Sequence, residues 1–168
     1  MKKILVLILG VFLGSQAFCQ TDKGESVNVV TDSLSLVVAN LQHDYNFLYC
    51  DYSINKLILS VSTFNNNLGI TSSDIRDDFH RHIYDNDLYL AYSNNYDASC
   101  KQYDTCKEEY VVLNRFIFLK ISTSNFSEKE VNLLKAGLTA IQAGLNRAES
   151  GLNLYNASLK AYRSIKND

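Results

Sequence analysis

The densest set of ionisable side chains runs from Asp74 to Asp87, where Asp74, Asp77, Asp78, His80, His82, Asp85 and Asp87 crowd together with Arg76 and Arg81. On a helix Asp74, Asp78 and His82 would share one face, and Asp77 and Arg81 another. Carboxylate and imidazole at that spacing are the raw material of a divalent metal site. A di-iron bundle, however, uses paired Glu-x-x-His motifs with further glutamates on neighbouring helices. Here one Asp77-x-x-His80 stands alone, and His43 is the remaining histidine. The segment therefore reads as a solvated helix start, with acidic side chains at the positive end of the dipole. No metal or cofactor is expected.

Nucleophilic chemistry has less to work with. The chain has no GxSxG elbow, and Cys50 has His43 only seven residues upstream, with no third group to orient it. No glycine-rich loop is present to cradle phosphate. The expectation is a protein that is not an enzyme.

Recognition is better served. Tyr84, Tyr89, Tyr92, Tyr96 and Tyr103 are interleaved with Asn86, Asn94, Asn95, Asp97 and Ser99. Tyrosine offers large contact area at small entropic cost, and Asn, Asp and Ser offer adaptable hydrogen bonds. Tyr89, Tyr92, Tyr96 and Tyr103 are thus the candidate binding residues. The simpler reading is that their spacing covers one side of a helical bundle, with hydroxyls at the rim.

These residues need a scaffold, and the composition sets its class. The chain of 168 residues has no proline and 7 glycines, a poor supply for the turns of an all-β fold. Lys2 and Lys3 precede an apolar run from Ile4 to Leu13, followed by small and polar residues. That is the pattern of a secretory signal peptide over 1–19, too short for a membrane span. Cleavage after Cys19 is preferred to cleavage after Ala17. Phe18 argues against lipid on Cys19, because small residues precede a lipidated cysteine. A flexible segment over 20–29 and a helical domain over 30–168 would follow, and the destination is extracytoplasmic: periplasm, cell surface or medium.

The formal net charge of −2 becomes −4 once the two leader lysines are removed. An acidic chain without a basic patch is not built for nucleic acid or for anionic lipid. No other stretch has transmembrane length. In an oxidising compartment Cys100 and Cys106, flanking a short polar segment, are expected to form a disulfide, while Cys50 reads as a buried free thiol.

Four helices are expected in an elongated antiparallel bundle, the first and last long. The first covers about 30–66, with an apolar face of Leu34, Val38, Leu41, Tyr45, Leu48 and Tyr52 drifting to Ile54, Ile58, Val61 and Phe64. Gly69 is placed to stop it. The second runs from Thr71–Ser73 to about Asn94, with a kink or break near Asp85–Asp87. The third covers 104–122, where β-branched and aromatic residues also permit a strand. The fourth opens on Ser127-Glu128-Lys129-Glu130, a capping-box pattern, and reaches about Ile165.

That last helix carries a heptad seam. Val131, Leu138, Leu145, Leu152 and Leu159 alternate with Leu134, Ile141, Ala148, Tyr155 and Tyr162, and Gly137, Gly144 and Gly151 run beside them. Each interior glycine costs about 1 kcal/mol, which asks for close approach of another backbone. Either the first helix or a second protomer, docking along 131–162, could supply it. The functional expectation is an exported, non-catalytic protein working through protein–protein contact, as a small subunit of an envelope assembly. The alternative is a glycan-, peptide- or small-ligand-binding module using residues 84–106.

Overall fold

The computed structural model describes residues 24–82 and 84–167. The expected signal peptide over 1–19 and its expected cleavage site lie outside them. Among the described residues there are three helices and no strand: α1 (Gly24–His80), α2 (Asn86–Thr123) and α3 (Glu128–Ser164), closed by a 3-10 turn at Ile165–Asn167. The chain divides into two units after Gln42. In the first, Leu36, Val37, Val38 and Leu41 are exposed, and the Ser35 hydroxyl donates to the Asp32 carbonyl at 2.8 Å. The second, from His43 onward, holds the core.

Two expected breaks do not occur. Gly69 lies inside α1, and so do Thr71 to Ser73. The reason is burial: Leu68, Ser72 and Ile75 continue the face begun by Cys50, Ile54, Leu57, Val61 and Phe64. Burying a Leu or Ile side chain contributes about 1.5–3 kcal/mol, more than the cost of one helical glycine. The helix also begins upstream of the expected start at 30. It ends where a break near 85 was expected. His82 takes a left-handed conformation at φ 55°, and Asp85 then caps α2, accepting from the amides of Asp87 and Leu88 at 2.7 and 3.1 Å.

The segment expected to loop between two helices is instead the interior of α2. Tyr96, Tyr103 and Cys106 recur at near-helical spacing and turn inward, while Lys101, Gln102, Asp104 and Thr105 are exposed. The polar composition belonged to an outer helix face. This overturns the disulfide. Six residues of helix separate Cys100 and Cys106 by about 9 Å of axial rise, beyond the ~7 Å that a bridge tolerates between Cα atoms. Cys50, Cys100 and Cys106 are all free, Cys50 and Cys106 buried.

The start of α3 is as expected. Ser127 Oγ accepts from the Glu130 amide at 3.3 Å, and Glu130 Oε2 accepts from the Ser127 amide at 2.8 Å. From Leu134 to Tyr162 the inner positions of the seam are buried within the chain. Its glycines face α1: a Cβ on Gly137 would stand 2.5 Å from Ile54 Cγ2, one on Gly144 would stand 2.7 Å from Val61 Cγ1, and one on Gly151 would stand 3.3 Å from Leu68 Cδ1. Each contact steps seven residues along both helices, so α1 and α3 run parallel. With three helices instead of four, the first and last point the same way. The Asn65 side-chain amide donates to the Gly144 carbonyl at 3.0 Å, a bond across the close approach.

The second half of the core is larger than the first in side-chain size. Phe64, Ile75, Tyr155 and Tyr162 fill it, whereas Cys50, Ile54, Ile117 and Ile141 fill the other.

The close approach yields a contrast of sign. Gly144→Ala should destabilise the protein by about 1–2 kcal/mol despite its gain in helix propensity, because branched Val61 has no flexible end to move aside. Gly69→Ala, with nothing within 4 Å of the new Cβ, should stabilise it by about 1 kcal/mol. Urea denaturation midpoints measure both. A Gly144→Ala protein as stable as Gly69→Ala would contradict the packing.

Candidate functional site

Tyr89, Tyr92 and Tyr96 lie at one end of the bundle, chiefly as structure, and Tyr103 lies further along α2, packed against both halves of the core. Tyr92 is buried; its Oη donates to Asp78 Oδ2 on α1 at 2.8 Å. Its backbone carbonyl accepts from Tyr155 Oη at 2.9 Å, so one residue of α2 is tied to both other helices. Tyr162 stands edge-on to Tyr92 with centroids 5.8 Å apart, and its Oη accepts from the Asp85 amide at 3.1 Å. Tyr96 packs edge-on against Tyr155 at 5.5 Å. The hydroxyls satisfy polar groups that a purely apolar end would strand.

The remaining candidates sit at the rim. Tyr89 is half-buried, with the Arg163 guanidinium 5.7 Å from its ring centroid, and Tyr103 is half-buried under Lys107. Tyr84 bridges Tyr89 and Tyr162. Tyr89, Tyr92, Tyr96 and Tyr103 thus share a helix face, but that face looks into the bundle.

The Asp74–His82 cluster does not converge. Asp74, Asp77, His80, Arg81 and His82 are exposed, and Asp78 is engaged by Tyr92. Among the described residues no group of three or more His, Cys, Asp or Glu is arranged to hold a metal ion. His43 is the histidine with tertiary partners: Nε2 lies 3.5 Å from Glu130 Oε2, and its ring stands edge-on to Phe126 at 5.6 Å. Hydrogen bonds from the Ser127 side chain and amide hold the Glu130 carboxyl below its usual range, with His43 adding to them. That arrangement secures the start of α3 against α1.

A different surface lies on the outer side of α1. Tyr45, Leu48 and Tyr52 were assigned to the inner face of the first helix, yet they are 58 %, 64 % and 65 % exposed, and Leu59 is 68 % exposed. They run along the outer side of α1, opposite Cys50, Ile54, Leu57 and Val61. Tyr45 stacks on Tyr49 at 6.2 Å, and Tyr49 stands edge-on to Phe116 of α2 at 5.6 Å. A shallow groove between the helices, lined by Tyr49, Ser53, Val112, Leu113 and Phe116, borders this strip. The missed signal was that α1 carries two apolar stripes. The stripe from Cys50 to Ile75 keeps strict heptad spacing and matches the seam of α3.

No family model matches the chain, and no curated protein or solved structure is similar to it.

Burial pushes the Tyr155 phenol up to about 12, and burial with the Asp78 hydrogen bond raises that of Tyr92 further. An unfolded tyrosine ionises near 10. Because the folded value is the higher one, this contribution to stability is complete below pH ~10 and is lost as pH rises through about 12. Melting temperature should therefore fall steeply over that interval. At neutral pH, Tyr155→Ala should cost about 3–5 kcal/mol and Tyr92→Phe about 1 kcal/mol, measured by denaturation. A Tyr155→Ala protein of unaltered stability would make the tyrosine cluster a surface after all.

Proposed function

We propose that this protein is exported and works without catalysis, by holding another protein surface on the outer face of α1. The observation that carries the reading is the exposure of Tyr45, Leu48, Tyr52 and Leu59, four large side chains in one strip, beside a core that is complete without them. Scattered apolar residues on a surface are ordinary, whereas an aligned strip of them marks a contact. Aromatic residues at such a strip are the side chains that most often anchor protein interfaces.

Export rests on the N-terminal sequence: two lysines, an apolar run and small residues before a cut. The acid excess and lack of a basic cluster support a protein partner over nucleic acid. No described helix is long and apolar enough to cross a membrane. The glycan- or peptide-binding alternative loses its main support, since Tyr92 is buried and Tyr96 packs on Tyr155.

A photoreactive phenylalanine analogue at Tyr52 should crosslink to protein in cells that make this chain naturally. The same analogue at Glu149, exposed on α3, should not. In dilute protein with no partner bound, Tyr52→Lys should leave the melting temperature within about 2 °C of the original, as expected for an exposed site. Equal labelling from both positions, or none from Tyr52, would contradict this reading.

A further inference from the structure

We propose that the occupant of this face is a second copy of the chain, paired parallel and in register along α1. The inference rests on the contact-surface reading above and names its partner. Its first support is spacing. Tyr45, Tyr52 and Leu59 recur every seven residues, and Leu48 stands between the first two, giving alternating steps of three and four. That is the geometry of a two-stranded coil, with Tyr45, Tyr52 and Leu59 at a and Leu48 at d. In the sequence the same steps extend back through Leu41, Val38 and Leu34. The periodic stretch is thus long enough for a coil, which a single heptad is not.

The second support is charge. Asp44 and Asp51 occupy the g positions on one flank of the strip, and Tyr49 and Lys56 occupy the e positions on the other. In a parallel coil each g residue meets the e residue of the next heptad across the seam. Asp51 then faces Lys56 of the partner subunit, and Asp44 faces Tyr49 of the partner subunit, each contact made twice by symmetry. An antiparallel coil sets g against g and would oppose aspartate with aspartate. The flanks therefore select the parallel arrangement.

Register has its own marker. Asn55 falls on a d position between Leu48 and Ser62, and its amide donates to Asp51 Oδ2 at 3.1 Å. In register, Asn55 meets Asn55 of the partner subunit, and a polar pair lies inside an apolar seam. A slip of one heptad would set one amide against Leu48 and the other against Ser62, and would break both Asp51–Lys56 contacts. The alignment that satisfies Asn55 is the one that also pairs Asp51 with Lys56. Nothing in the bundle core competes for this surface, because the glycine-edged seam of α3 is covered by the chain's own α1.

The test uses the purified protein. Light scattering across a dilution series should give twice the chain mass at the highest concentrations. In a Cys100→Ser background, Leu48→Cys and Leu59→Cys should each form an intermolecular disulfide with itself on mild oxidation, since in a parallel in-register coil every position faces its own copy. Asp51→Lys alone and Lys56→Asp alone should each weaken the dimer about tenfold, and the double exchange should restore it. A monomer at every concentration would overturn the proposal. So would self-crosslinking at one cysteine position and not the other, the result that an antiparallel coil gives. The Tyr52 photocrosslink separates the two levels. A monomer that crosslinks to a different protein removes the dimer and keeps the contact surface, whereas a monomer with no adduct removes both.

Discussion

The closest approach in the molecule, between α1 and the glycine edge of α3, governs where everything else can go. Gly137, Gly144 and Gly151 leave no side chain between the backbone of α3 and Ile54, Val61 and Leu68. Three helical glycines cost about 3 kcal/mol relative to alanine. The seam that they open is lined by nine buried residues of α3, from Leu134 to Tyr162. Burial of even two or three such side chains exceeds that cost. The approach is parallel, so α2 must cross back between the ends of the other two, and its inner face is set by the groove they leave.

At one end of that groove, tyrosine does what leucine cannot. Tyr92 reaches Asp78 on α1 and receives Tyr155 from α3 through its carbonyl, while Tyr162 takes up the amide of Asp85 where α2 begins. The Asp85 amide at the start of α2 is thus matched by a ring that also fills volume. At the other end the same task falls to His43, Glu130 and the Ser127 cap, with Lys120 donating to Asn46 at 3.1 Å. With both ends tied down, the side of α1 that faces away from the core keeps a strip of exposed apolar side chains.

Much of this was legible in the residues. The seam of α3, its capping box and the need for close approach at its glycines follow from a repeat that no loop would keep. The break near Asp85 was legible too, because the apolar pattern lapses across Asp85, Asn86 and Asp87. The helix count was not, because Gly69 and the Cys100–Cys106 segment look locally like stops. Each is overruled by residues a turn away, Leu68 and Ile75 in one case and Tyr103 and Cys106 in the other, whose burial local composition does not reveal. The face of α1 was misjudged for a related reason. Two apolar stripes share that helix, and the one that meets the glycines is the longer, from Cys50 to Ile75, whose heptad spacing matches the α3 seam. The tyrosines of α2 were correctly placed on one face, but only the partners of Tyr92 show that the face is internal.

The parallel, intrachain pairing of α1 with α3 is the claim on which the rest depends, and paired spin labels measure it directly. Ser62 with Ala143, and Ser73 with Leu154, line the α1–α3 boundary at two levels. Dipolar distances in samples diluted with unlabelled protein should be short for both pairs, since each lies at one level of a parallel arrangement within one molecule. A long distance for either pair, or short distances that vanish on dilution, would show that the glycine seam is antiparallel or belongs to an interface between chains.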